Sequence, residues 1–215
     1  NGGGFYDWRD LRYLLFEYEY KKAEETGIEK LGWTPFTKVE KDKVSIEHIL
    51  PQTPTKLYWR NHFRQYTEDE IKILSGSLGN LLPLSQSVNS ALQNDGIIEK
   101  KSSKNSGRRG YEDGSHSEIE VSRQTDWDAQ RILKRGIKLL KFIENRWNIQ
   151  FKDEAQMIEL LHISFVNDGR ADVPEIPEPE IEETIVQPTD TTSGFSDLKQ
   201  LRLHFWTNFV QYCRN

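Results

Sequence analysis

Sulfur-containing side chains and long apolar runs are nearly absent from this chain of 215 residues. Cys213 is the only cysteine and Met157 the only methionine. A single cysteine excludes an internal disulfide framework and a zinc site built from thiolates, and it is typical of a reducing compartment, so we expect a cytoplasmic protein. No apolar run approaches the roughly 18 to 20 residues that span a bilayer, so we expect no membrane partner.

Two further absences concern processing and nucleotide binding. The chain opens on Asn-Gly-Gly-Gly, which is neither a signal peptide nor a natural start, so we expect a fragment of a longer protein. No Gly-x4-Gly-Lys phosphate-binding loop occurs, so we expect any nucleotide hydrolysis to belong to other parts of that protein.

Charge and proline divide the chain into three predicted parts. The formal net charge is -5, yet residues 171–190 hold seven acidic and no basic residues. Acidic, proline-rich composition is typical of a disordered linker. We therefore predict a helical domain over residues 1–166, an acidic linker over 167–194, and an amphipathic helix over 195–215 that begins a further, truncated domain.

Hydrophobic periodicity predicts a mostly α fold with a small embedded β-hairpin. Apolar side chains at three- and four-residue intervals predict helices, and these cover residues 5–25, 57–74 and 126–148. The second of these falls into two pieces, the later one beginning at Thr67 with a capping box to Glu70. Alternating apolar residues predict strands over 39–50 and 81–84. A short helix is expected from Asn89, and five basic residues predict a basic loop over 99–110.

The most informative motif lies where the first predicted strand ends. Glu47 and His48 are followed by Ile-Leu-Pro-Gln, Asn80 lies within Leu-Gly-Asn-Leu, and Asn89 follows nine residues later. Hydrolysis of a phosphodiester requires a base to activate water and relief of the phosphate charge. A neutral histidine suits the first task, and carboxylate or amide oxygens bind the hard cation that suits the second. Asn80 would orient the imidazole or brace the loop.

Together these motifs resemble HNH nucleases, which carry a ββα-metal finger flanked here by helices. More narrowly, they resemble the C-terminal HNH domain of GmrSD-type modification-dependent restriction enzymes. The narrower resemblance includes Lys100 and the Trp127-x4-Ile132-x2-Arg135 spacing, and it covers roughly residues 5–150. It implies a DNA substrate, a separate N-terminal sensor domain that hydrolyses nucleotides, and a role in anti-phage defence.

The resemblance also implies roles for individual residues. His48 becomes the general base and Asn80 the residue that positions it, while Glu47 and Asn89 become ligands of one divalent ion, Mg²⁺ or otherwise Mn²⁺ or Ni²⁺. Two features depart from the wider family: Glu47 stands where aspartate is frequent, and 32 residues separate His48 from Asn80. The second departure implies helices inserted between the strands.

Basic residues near these motifs are candidates for contact with nucleic acid. Phosphate attracts lysine and arginine side chains regardless of sequence. The candidates are Lys100 and Lys101, with a solvated turn as the alternative, and Arg131 and Arg135, with an internal salt bridge as the alternative.

The sequence thus predicts a metal-dependent DNA endonuclease, nicking or cutting both strands, as the effector domain of an anti-phage restriction system. Two alternatives stay open. One is a degenerate HNH scaffold that only binds nucleic acid or another protein, and the other is an RNase.

Overall fold

A computed structural model describes residues 4–32, 44–85, 88–89, 92–102 and 109–170. The helix predicted over 195–215, and all but the first four residues of the linker predicted over 167–194, lie outside these ranges. The described part is mostly helical with one small sheet, as predicted. None of its helices is both long and apolar enough to span a bilayer.

Seven α-helices can be followed in the described part, and four of them, the first three and the sixth, correspond to helices that the periodicity predicts. They are α1 (Leu11–Thr26), α2 (Leu57–His62), α3 (Glu68–Gly76), α4 (Ile97–Lys101), α5 (His116–Ser122), α6 (Ala129–Trp147) and α7 (Glu154–Leu160). The predicted capping box is confirmed: the Glu70 amide donates to the Thr67 hydroxyl, and the Glu70 carboxylate accepts from the Thr67 amide. Val88 and Asn89 are helical as well, and the Gln93 amide donates to the Asn89 carbonyl.

The sheet consists of two antiparallel strands, β1 (Val44–His48) and β2 (Leu81–Ser85). His48 pairs with Leu81 and Val44 with Ser85, so β1 ends where β2 begins. Helices α2 and α3 lie between the strands in sequence, which confirms the predicted insertion. Residues 39–43 of the predicted first strand lie outside the described residues.

Helix α6 packs directly against the 3₁₀ turn Leu78–Asn80, which leads into β2. A Cβ atom on Gly79 would lie 1.9 Å from the Ile132 carbonyl oxygen, so only glycine permits this approach. Trp127, just before α6, is buried in the same core as Leu78 and Leu81. The position of Asn80 is therefore set by a long, well-packed helix.

Two details of the sequence prediction are wrong. The apolar stripe of α6 predicts that Trp147 faces the core as Trp127 does, but Trp147 is 37 % exposed, because it lies at the last position of α6 beyond the packed segment. The basic loop expected over 99–110 begins as helix: Lys100 and Lys101 form the end of α4. Residues 103–108 lie outside the described residues.

Candidate active site

His48 is the last residue of β1, and its imidazole is held by a main-chain carbonyl. Nδ1 lies 3.0 Å from the Ser75 carbonyl oxygen, near the end of α3. Because a carbonyl only accepts, Nδ1 carries the proton and Nε2 keeps its lone pair. Within the described part of the chain, Nε2 is buried and has no hydrogen-bond partner. This tautomer is the one a general base needs.

The N-terminal 3₁₀ turn Gly4–Asp7 lies beside this imidazole. The ring centroids of Tyr6 and His48 are 4.5 Å apart. Burial lowers the pKa of His48 below its usual value of 6.5; the hydrogen bond to Ser75 opposes this shift and the positive charge of Lys100 adds to it. His48 is therefore held as a neutral imidazole near neutral pH.

Asn80 braces the turn that follows His48. It is fully buried; its Oδ1 accepts from the Leu50 amide at 2.8 Å and from Trp127 Nε1 at 3.1 Å. Its Nδ2 donates to the carbonyls of Leu50 and Ser75, both at 2.9 Å. Asn80 therefore braces the loop directly, which is one of its two predicted roles. It affects the orientation of the imidazole only through the Ser75 carbonyl, which accepts from both side chains.

Lys100 is buried beneath the turn that follows His48, which corrects the prediction that Lys100 contacts nucleic acid. Its side chain has no exposed surface, and its Nζ donates to Glu47 Oε1 at 2.6 Å. The same ammonium donates to the carbonyls of Ile49 at 3.0 Å and His48 at 3.3 Å. A cation with these partners is not available to a phosphate.

Glu47 is also committed to buried partners. It is 3 % exposed, and its Oε1 accepts from Lys100 and from the Tyr111 hydroxyl at 3.0 Å. Burial raises the pKa of Glu47, and the ammonium of Lys100 and the hydroxyl of Tyr111 oppose the shift. Burial beside this carboxylate likewise raises the pKa of Tyr111.

Glu47 and His48 contact different parts of the molecule. Consecutive strand residues point to opposite faces, and accordingly Glu47 meets α4 and Tyr111 while His48 meets α3 and the N-terminal turn. The described residues contain no cluster of three or more His, Cys, Asp or Glu side chains placed to hold a metal ion. With its carboxylate beside the buried ammonium of Lys100 and Oε1 held by two donors, Glu47 does not fit the predicted role of metal ligand.

Asn89 lies against the other end of β1. Its Nδ2 donates to Ser45 Oγ at 2.9 Å and to the Ile46 carbonyl at 3.3 Å. Because the amide nitrogen is committed to the strand, Oδ1 is the atom that remains for a metal ion.

The remaining basic candidates differ in exposure. Arg135 is 6 % exposed, and its Nη1 donates to the carbonyls of Leu81 at 2.7 Å and Gly79 at 2.8 Å. It therefore braces the start of β2, which corrects the prediction that Arg135 contacts nucleic acid. Lys101 donates to the Gln124 carbonyl, and Arg131 pairs with Asp128 at the start of α6. Both are partly exposed.

Comparison with models of protein families matches residues 2–142 to the C-terminal domain of GmrSD restriction endonucleases. The chain belongs to this family. The search of curated proteins and the search of solved structures returned no match. Every residue of the candidate site described above lies inside the matched range. A GmrSD C-terminal domain is part of a restriction endonuclease. The chain is therefore a nuclease domain, that is, a hydrolase domain that acts on DNA.

Sequence reasoning missed two contributors to this GmrSD-type site. Ser75 supplies its main-chain carbonyl, which no residue pattern reveals. Tyr111 is a single aromatic residue 64 positions from Glu47, and no spacing links the two.

We predict that Asn80→Asp destabilises the domain by at least about 2 kcal/mol at neutral pH, because the carboxylate would face the carbonyls of Leu50 and Ser75 without a proton to donate. Such a carboxyl has a raised pKa in the folded state. The deficit relative to wild type should therefore shrink as the pH falls through that pKa, as urea unfolding at several pH values would show. The exposed Asn145→Asp is the control. Equal stability of Asn80→Asp and wild type at neutral pH would contradict the role given to Asn80.

Proposed function

We propose that this chain is the HNH-type DNA endonuclease domain of a bacterial, cytoplasmic anti-phage restriction system, with His48 as the general base. The observation that carries the proposal is the fixed tautomer of His48, with Nδ1 bound to the Ser75 carbonyl and a free lone pair on Nε2. Membership of the GmrSD family supports DNA as the substrate.

The proposed chemistry begins at Nε2. It takes a proton from a water molecule, whose oxygen attacks the scissile phosphorus while the bond to the 3′ oxygen breaks on the opposite side. The imidazolium formed in this step is stabilised at Nδ1 by the Ser75 carbonyl. The leaving oxygen is protonated by solvent. Asn80 keeps Ser75 and Leu50 in place throughout.

Dependence on one divalent ion, Mg²⁺, Mn²⁺ or Ni²⁺, is part of the proposal. Of its two predicted ligands, Asn89 retains an oxygen for that role and Glu47 does not fit it in this structure. When bound, the ion would offset negative charge on the scissile phosphate.

The outer face of α6 is the proposed contact for the DNA backbone. Arg131, Lys134 and Lys138 line a cleft of about 240 Å³. Arg131 pairs with Asp128 and Lys138 with Glu120, whereas no ion pair joins Lys134 to another described residue. An exposed lysine of this kind gains most from a phosphate. Lys101 is proposed as an additional contact.

We expect the wild-type domain to nick or linearise supercoiled plasmid in the presence of Mg²⁺, Mn²⁺ or Ni²⁺ and not with EDTA. His48→Ala should lose this activity and keep its circular dichroism spectrum, because the His48 side chain is only partly buried and lies outside the hydrophobic core. His162→Asn, an exposed histidine with a positive φ that asparagine tolerates, is the matched control. Unfolding of His48→Ala would assign His48 a structural role, and faster cleavage of matched RNA would identify an RNase.

The pH dependence of cleavage provides a second test. Since only the neutral imidazole accepts a proton, the rate should rise with pH through the pKa of His48, and the midpoint of this acid limb should lie below 6.5. Single-turnover rates across the acid range would measure it. In Tyr6→Ala the imidazole of His48 is better hydrated, so the midpoint should move towards 6.5. A wild-type midpoint at or above 6.5 would refute the assignment.

For the α6 face, we expect Lys134→Ala to weaken binding of duplex DNA and to reduce the slope of log K against log salt by about one. Fluorescence anisotropy at several salt concentrations measures both quantities. Lys141→Ala is the control, because this lysine lies on the same helix but outside the cleft and pairs with Glu154. Identical salt slopes for Lys134→Ala and wild type would exclude this face.

A further inference from the structure

We propose that Glu47, Lys100 and Tyr111 form a buried positioning unit for His48, and that Glu47 is not a metal ligand. The inference rests on the proposed function, since it names residues that act on the base of that reaction. Its structural part can be tested separately.

The first step is the burial of the ion pair. The side chains of Lys100 and Glu47 are 0 % and 4 % exposed, with Nζ and Oε1 2.6 Å apart. A buried ammonium is tolerated only when its charge is compensated and its donors are satisfied. Glu47 compensates the charge, and the carbonyls of His48 and Ile49 accept two further hydrogen bonds. All three donors of Lys100 are thus used.

The second step is the state of the carboxylate. Oε1 of Glu47 accepts from both Lys100 and the Tyr111 hydroxyl, and Tyr111 is completely buried. A divalent ion at this oxygen would lie against an ammonium group and would have to displace both donors. Repulsion between like charges opposes this arrangement.

The third step connects the unit to catalysis. Lys100 holds the carbonyl of His48 itself and that of the next residue, so it fixes the main chain from which the imidazole projects. Asn80 fixes the following residue, Leu50, at both its amide and its carbonyl. A shift of the His48 main chain would move Nε2 relative to the bound substrate. Misplacement of a catalytic group lowers the rate of the chemical step.

The decisive variant is the double replacement Glu47→Leu/Lys100→Met. Replacing both members of a buried ion pair by apolar side chains usually preserves folding, whereas removing one partner leaves an uncompensated charge. The double variant separates stability from positioning because it removes both buried charges and yet releases the two carbonyls. Lys141→Met is the matched control for loss of a lysine.

Three measurements are made on wild type, double variant and control: kcat and KM for plasmid cleavage, Mn²⁺ binding by calorimetry, and the imidazole ¹⁵N resonances of His48. We expect the double variant to fold, to bind Mn²⁺ within about two-fold of wild type, to lose about ten- to a hundred-fold in kcat with little change in KM, and to show altered His48 resonances. Loss of Mn²⁺ binding with unchanged resonances would establish Glu47 as a ligand and overturn the proposal.

A double variant with wild-type kcat and resonances would also overturn it, since the unit would then serve folding alone. Failure of the proposed function gives a different result, namely a wild-type domain that cleaves neither DNA nor RNA. The ¹⁵N resonances would still decide whether Lys100 and Glu47 position His48 in that case.

Discussion

The site depends on the hydrogen bonding of one buried turn, residues 48–50, which follows the first strand. Ile49 and Leu50 have no exposed surface, so water cannot satisfy their main-chain groups. Two buried side chains do so instead. Lys100 binds the carbonyls of His48 and Ile49, and the Asn80 side chain binds the amide and carbonyl of Leu50, while the Asn80 carbonyl accepts from the Ile49 amide.

The chemistry of this turn explains why these two residue types occur there. Asparagine carries both a donor and an acceptor at one end, so it can bind an amide and a carbonyl of the same residue. Lysine carries three donors and no acceptor, which suits adjacent carbonyls but brings a charge that requires a buried counterion. Glu47 supplies it. The acidic residue before His48 is thus explained by the lysine beneath it.

The outline of the fold could be predicted from the sequence because its signals are local. The capping box at Thr67, the periodicity of α6 and the alternation before His48 each depend on neighbouring residues. The burial of Lys100 and Arg135 could not be predicted, because their partners are distant in sequence. A lysine in a basic segment has the same sequence pattern whether it faces solvent or a carboxylate 53 positions away. His48 and Asn80 belong to a recognisable motif, whereas the Ser75 carbonyl has no side-chain signal.

The long spacing between His48 and Asn80 has a function in this arrangement. The inserted helix α3 ends at Gly76, and the last carbonyls of a helix lack partners within it. Ser75 offers one of these to His48 Nδ1. This end of a helix also carries partial negative charge, which favours a cation nearby. The inserted helix would therefore stabilise an imidazolium at His48, while burial keeps the resting imidazole neutral. In the proposed mechanism, these opposing effects leave His48 uncharged before the reaction and supported during it.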